Sequence, residues 1–346
     1  MAHFDRKIKI AFTLFHDLRR IGKSMRHHLL NRGGTNKMKT LLLLIIIILS
    51  SPGLQKIFAQ QEPQYTQYMF NTVSVNPAYA GTREALNVLL LSRLQWIGME
   101  GAPRTYDFTV HTPITKYKMG LGLSLVSDSY GPVSNQYLNL SYAYRINITE
   151  KTVLSMGIKG GIYNYHVNLT GLNFGEADAY INENPEQKFL PNAGMGLYLF
   201  SDRYYAGASV PRLIQTDLNG EQTTAGTLGD LKRHYYFMGG LIFDLSSELI
   251  LKPSIINRFV EGAPSSTDFT TQLLIRDTYW AGVSYRYDEA IALLAGVQVN
   301  NQLMFGYSYD FQQSELSTFN NGSHEIVISY DFAGFTREKV VSPRYF

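Results

Sequence analysis

Charge recurs in this chain at alternate positions inside stretches that are otherwise apolar or small. Arg93, Asp107, Arg145, Lys159, Arg286, Glu325 and Asp331 all fall on the parity that faces the inside of whatever wall these stretches build. Successive side chains on a strand point to opposite faces, so a charge in such a run must be paired, hydrated or kept for a ligand. Two readings follow. The seven groups pair across an enclosed space as an electrostatic lining with no ligand, or they form a ladder that grips the end of a polypeptide. Neither reading is catalytic. His111 and His324 sit on strands and His166 and His234 at loop edges, with no His-Glu-x-x-His spacing to hold zinc. There is no Gly-x-Ser-x-Gly elbow and no phosphate-cradling glycine loop. A membrane-embedded hydrolase would have to assemble Ser, His and an acid from separate strands, and no Ser stands out for it. Cysteine is absent, which excludes disulfides, thiol chemistry and zinc sites of the Cys type. No metal and no cofactor are implied, and the chain reads as non-enzymatic.

A second constellation is aromatic. Tyr65, Tyr68, Phe70 and Tyr79 surround Asn71 and the turn formers Asn76-Pro77 and Ala80-Gly81, and Gln95-Trp96 follows shortly after. Proline fixes φ and glycine accepts positive φ, so the middle of this segment is an ordinary turn on physics alone. The functional alternative is an aromatic surface for a partner, near the mouth of a barrel or inside its lumen.

The elements that must position these residues are strands. Leu303, Phe305, Tyr307, Tyr309 and Phe311 alternate with Gln302, Met304, Gly306, Ser308 and Asp310, and stretches of this kind recur along the chain, about fourteen in all. Only a wall with lipid outside and a wet or packed interior needs that pattern so often. The strands are expected at 86–97, 104–112, 119–126, 135–146, 152–165, 192–200 and 204–210. A second series is expected at 234–243, 249–259, 267–275, 279–287, 290–299, 302–311 and 324–332. The fold class is therefore all-β, a transmembrane antiparallel up-and-down β-barrel with an N-terminal extension. Short connections (147–151, 201–203, 244–248, 276–278, 300–301) alternate with long ones (166–191, 211–233, 260–266, 312–323), and only 287–289 is short where a long one is due. Glycines on the inner parity, such as Gly120, Gly122, Gly194 and Gly196, leave room for water, a folded-in loop or a polypeptide, or simply relieve crowding where strands bend.

The composition agrees. A mean hydropathy of −0.12 looks soluble, but barrel strands expose apolar side chains only at every second position. With 24 Tyr and 19 Phe the chain can furnish aromatic girdles at both rims. Residues 1–37 read as an upstream extension outside the mature protein, with Met38 as the start. Residues 38–59 read as a signal peptide, with a basic Lys37-Met38-Lys39 opening, the apolar run Leu41–Leu49 and cleavage before Gln60. That run is too short to cross a bilayer as a helix. Residues 60–85 are a periplasmic or lumen-packed segment, 86–332 the barrel and 333–346 a C-terminal tail. Residues 60–346 carry 20 Lys and Arg against 26 Asp and Glu, so no basic patch argues for nucleic acid.

Gln67-Tyr68-Met69-Phe70-Asn71 followed by Asn76-Pro77-Ala78-Tyr79-Ala80-Gly81 resembles the opening signature of the PorP/SprF family of the type IX secretion system. The likeness continues through Arg93, Gln95-Trp96, Gly101-Ala102-Pro103-Arg104-Thr105, Gly120-Leu121-Gly122-Leu123-Ser124, Asp128 and Gly131-Pro132. It resumes at Tyr142-Ala143-Tyr144-Arg145-Ile146, Gly282-Val283-Ser284-Tyr285-Arg286, Gly306-Tyr307-Ser308-Tyr309-Asp310, Gly322-Ser323-His324-Glu325-Ile326 and Ser329-Tyr330-Asp331. The resemblance implies a barrel in the outer membrane of a Gram-negative bacterium, working with the secretion and gliding machinery. Its expected partners are outer-membrane lipid, a secreted adhesin or type IX cargo protein, and periplasmic lipoproteins of the secretion system. The aromatic and turn residues Tyr68, Phe70, Asn71, Asn76, Pro77, Tyr79, Gly81, Gln95 and Trp96 are the candidates for partner contact. The competing function is a channel for small solutes.

Overall fold

The computed structural model describes residues 62–168, 188–217, 230–261, 263–313 and 315–332. The expected upstream extension, signal peptide and C-terminal tail, and most of the two longest expected connections, lie outside the described residues.

Fourteen long strands form one closed antiparallel barrel. They are β1 (Leu86–Leu94), β2 (Arg104–Ile114), β3 (Met119–Tyr130), β4 (Val133–Asn147), β5 (Val153–Val167), β6 (Lys188–Phe200) and β7 (Tyr204–Arg212), then β8 (His234–Leu241), β9 (Leu249–Val260), β10 (Ser266–Ile275), β11 (Tyr279–Arg286), β12 (Ala290–Gln298), β13 (Leu303–Gln312) and β14 (Ser323–Phe332). Each strand pairs with its neighbours in sequence, and Leu86 pairs with Phe332 to close β1 on β14. Closure removes every sheet edge, which is what allows backbone polar groups to be satisfied inside a bilayer. The first strand begins and the last ends on one rim, here the terminal rim, and the opposite end is the far rim.

The faces separate as the alternation requires. Leu140, Ile158, Leu197, Val283 and Leu293 point outward and are exposed, while Ser141, Lys159, Ser284 and Ala292 beside them are buried inward. Aromatics ring both ends of the outer band: Tyr117, Tyr204, Phe243, Tyr279 and Phe332 at the terminal rim, and Phe189, Phe259, Tyr285 and Phe311 at the far rim. This is the lipid-facing surface of a membrane barrel.

Several strand ends differ from those expected. β1 stops at Leu94, because Trp96 takes a left-handed backbone (φ 47°) that ends the pairing. β3 and β4 run on to meet at Gly131-Pro132, a two-residue hairpin with Gly131 at φ 53°. Asp128 looks like a strand breaker in sequence, yet its carboxylate faces inward and accepts a 2.6 Å hydrogen bond from Thr105 Oγ1 across the β2–β3 pair. The stretch left between the strands expected at 119–126 and 135–146 is thus mostly strand, joined by a tight turn.

Candidate functional site: the segment packed in the lumen

Residues 62–85 run through the inside of the barrel, from the far rim at Glu62 to the start of β1 at the terminal rim. The segment has little regular structure of its own. A turn closes with the Phe70 N–H donating to the Gln67 carbonyl (3.0 Å), followed by one helical turn, α1 (Thr72–Val75). Asn76 then caps a 3₁₀ turn over Pro77–Tyr79, its Oδ1 accepting from the Ala78 N–H at 3.0 Å. Pieces this short are not stable alone, so the wall must hold them.

The wall holds them all the way round. Ser155 and Ser209 donate to the carbonyls of Ala78 (2.6 Å) and Val75 (2.7 Å) from β5 and β7. Asn76 Nδ2 donates to the Leu197 carbonyl on β6 (3.0 Å), and the Tyr68 hydroxyl to Ser254 Oγ on β9 (2.9 Å). Tyr68, Val73, Val75, Ala78 and Tyr79 are buried against the wall, each large side chain contributing about 1.5 to 3 kcal/mol. Burial pushes the phenols of Tyr65 and Tyr68 above their ordinary value, so both remain neutral.

The inward glycines make room for this segment. A Cβ on Gly120 would strike the Ala80 carbonyl, one on Gly157 the Ala78 nitrogen and one on Gly196 Asn76 Oδ1. From the other side, Gly81 (φ 71°) lies where an added Cβ would come within 2.7 Å of Gly120 Cα. Gly194 serves differently, facing Pro211 of the neighbouring strand.

The charged centre lies at Thr66 and Gln67. Glu325 on β14 accepts both backbone N–H groups, from Thr66 at 2.9 Å and from Gln67 at 2.7 Å. Arg93 on β1 donates to Thr66 Oγ1 (2.8 Å), Glu325 (3.1 Å) and Asp310 on β13 (2.7 Å). Asp310 also accepts from the Thr66 hydroxyl at 2.7 Å. Beside it, Asp268 on β10 takes Arg258 of β9 in a fork of two 3.0 Å bonds and Arg286 of β11 at 3.0 and 3.2 Å. Arg286 bridges the halves, 3.9 Å from Asp310. Three arginines and three carboxylates thus balance in a buried network.

Three further anchors flank this centre. Asn71 Nδ2 and Ser74 Oγ donate to Asp107 at 2.7 and 2.6 Å, and Lys159 Nζ donates to the Ser74 carbonyl at 3.3 Å. At the far end Arg212 pairs with Glu62 (2.6 Å) and lies 4.5 Å over the Tyr163 ring. Burial would raise the Glu62 carboxyl, but the charges of Arg212, His234 and Lys159 outweigh it and hold its pKa below the usual value. At the terminal end Arg83 approaches Asp331 at 3.5 Å, while Asn87 donates to the same carboxylate at 2.9 Å.

Of the seven charges singled out in the sequence, Arg93, Arg286 and Glu325 meet at the central network, Asp107 and Lys159 at the Ser74 anchor, and Asp331 at Arg83. Arg145 stands apart, half-buried near the terminal rim with Nη2 donating to the Met119 carbonyl at 2.8 Å. Tyr68, Phe70, Asn71, Asn76, Pro77, Tyr79 and Gly81 all lie in the lumenal segment. Gln95 and Trp96 do not: they are half-buried at the far rim, their N–H groups donating to the Pro103 carbonyl (2.9 Å) and Ser323 Oγ (3.2 Å). Sequence reasoning missed Glu62, Arg83, Arg212, Arg258, Asp268 and Asp310. The last three lie on the inward parity of strands from which no charge had been chosen, and extending the count of alternate positions to those strands would have found them.

A family model described as the type IX secretion system membrane protein PorP/SprF matches residues 57–330. No curated protein matches the sequence. Similar solved structures include the Acinetobacter baumannii outer membrane protein Omp33, with 6% identity over 73% of this chain and 100% of that one and a TM-score of 0.43. The P. putida toluene transporter TodX gives 9% identity over 76% and 94% of the two chains, with a TM-score of 0.45. The CymD monoaromatic hydrocarbon channel gives 12% over 80% and 95%, also with a TM-score of 0.45.

Proposed function

Because the chain belongs to the PorP/SprF family of type IX secretion system membrane proteins, we propose that this outer-membrane barrel is a non-enzymatic scaffold that holds or displays an exported adhesin or other cargo and links to periplasmic lipoproteins. The observation that carries the reading is the lumen filled by residues 62–85. The cavities beside the segment are small, with about 20 to 40 Å³ open to water centres, enough for one or a few waters. A wall so closely packed suits binding more than solute passage, which sets the channel reading second. In this reading a cleaved signal peptide exports the chain, the terminal rim faces the periplasm and the far rim faces the exterior. Gln95 and Trp96 are the partner candidates within direct reach of an external protein. Tyr68, Phe70, Asn71, Asn76, Pro77, Tyr79 and Gly81 act by holding the plug and meet a partner only when it moves.

The test is mild-detergent purification of the tagged protein from its native outer membrane, with mass spectrometry of what accompanies it. A secreted adhesin or type IX lipoproteins at near-equal amounts support the scaffold. The bare barrel, recovered repeatedly under conditions that preserve other membrane complexes, counts against it.

A further inference from the structure

At the terminal rim two adjoining small cavities share Phe70, Arg83 and Lys252. Among the described residues Lys252 has no hydrogen-bond or ion-pair partner, although it lies on the inner face of β9. Three buried donors of the same cavities are also unpartnered: Arg83 Nε, Gln272 Nε2 and Trp280 Nε1. Their side chains are all more than nine-tenths buried. Unpaired buried polar atoms are rare in native proteins, and each one asks for a reason. Every orphan among the residues lining these two cavities is a donor; of the orphaned acceptors in the lumen, Gln67 Oε1 lies close to the Trp280 ring, and Asp107 and Asn192 line neither cavity. Asp331, the nearest buried carboxylate, is already engaged by Asn87 and Arg83.

From this convergence we infer that the terminal mouth of the lumen is a binding site for a polypeptide carboxylate with an apolar side chain beside it. An ammonium and three N–H donors need a negatively charged acceptor with several lone pairs, and a carboxylate presents about four such sites. Size points the same way, since the larger cavity, lined by Arg83, Lys252 and Trp280 together with Asp277 and Asp331, has about 40 Å³ open to water centres and admits the end group of a chain, not a folded element, with Gln272 reached from the adjoining cavity. The apolar neighbour has its own floor: the Phe70 ring lies 4.9 Å from that of Trp280, with Leu274 and Met304 lining the same cavity. The site stands on geometry alone. That its occupant is a periplasmic protein rests on the orientation proposed above.

The full chain in detergent, carrying Trp96→Phe, leaves Trp280 as the sole tryptophan and a reporter inside the site. It is titrated at constant pH and ionic strength with N-acetylphenylalanine, with the amide of that compound and with inorganic phosphate. The expected result is a saturable change in Trp280 emission with the carboxylate and none with the other two. Lys252→Gln should weaken it about tenfold or more, and Lys252→Arg should restore most of it. Lys252 is incompletely buried and has no hydrogen-bond or ion-pair partner among the described residues, so both variants should keep the heat-modifiable gel mobility of a folded barrel. An equal response to the amide, a response to phosphate alone, no response at all, or an unchanged affinity in folded Lys252→Gln would each overturn the inference. Cell-based cross-linking reads the orientation separately and leaves this titration untouched.

Discussion

Replacing Arg93 with Met removes the cation on which Thr66, Asp310 and Glu325 converge. Asp310 would keep Arg286 at 3.9 Å, but Glu325 would keep only the Thr66 and Gln67 amides, in a site where the Arg93 and Glu325 side chains are 1% and 0% exposed. Removing one partner of a buried ion pair costs about 3 to 5 kcal/mol, because the other charge is left uncompensated. The lumenal segment shares these bonds, so its docking should take much of the loss. At about 1.4 kcal/mol per factor of ten, the undocked population should rise by roughly two to three orders of magnitude. The absence of cysteine supplies the assay. Val73→Cys places a thiol on α1 where the native side chain is 3% exposed, and its labelling rate reports undocking. Arg93→Met should speed labelling about a hundredfold or more, and adding Glu325→Gln should recover part of that by removing the stranded charge. Arg276→Met breaks a pair whose side chains are 70% and 58% exposed, and should change the rate only a few-fold. If Arg93→Met labels within about threefold of its parent, the network does not hold the segment and the reasoning fails.

Other perturbations test separate links. Gly157→Ala puts a methyl group into the Ala78 nitrogen and should release the segment in the same labelling assay, while Gly160→Ala, with nothing within 4 Å, should not. Gly81→Ala adds backbone strain at φ 71° to its clash with Gly120 and should act like Gly157→Ala. Acid should loosen the far end: the Glu62 carboxyl lies below its ordinary pKa in the folded state, so its contribution is complete above the unfolded value of about 4.3 and is lost as pH falls through the lower folded one. Near-ultraviolet dichroism from Tyr137 and Tyr163, whose rings Arg212 covers, should therefore show a transition as pH falls below about 4. Glu62→Gln should abolish that transition.

The barrel was legible because lipid outside and a polar interior impose a period of two on every strand, and fourteen strands in simple order carry that period openly. Strand ends were less legible where polar residues belong to the lumen: Ser127, Asp128 and Ser129 read as loop but extend β3. The sequence left residues 60–85 as periplasmic or lumen-packed, since nothing local decides between them. Thr66 and Gln67 find Glu325 at separations of 259 and 258 residues, and only closure of β1 on β14 brings it beside them. Glycines on the inner face announced that space was needed. That the space at Gly120, Gly157 and Gly196 belongs to Ala80, Ala78 and Asn76 is a property of the folded chain. The inward charges were found where the count of alternate positions was applied and missed where it was not, as with Arg258 and Asp268, while Asp310 stood on the inner parity beside Ser308 without being counted among the charges.

The central claim is that the chain closes its own lumen and works by binding. Planar-bilayer recording of the purified barrel tests it most directly, with a variant lacking residues 62–82 as the open reference. The account predicts a nearly silent wild type and a steadily conducting deletion variant. Steady conductance through the wild type, equal to that of the variant, would contradict it and return the protein to the channels.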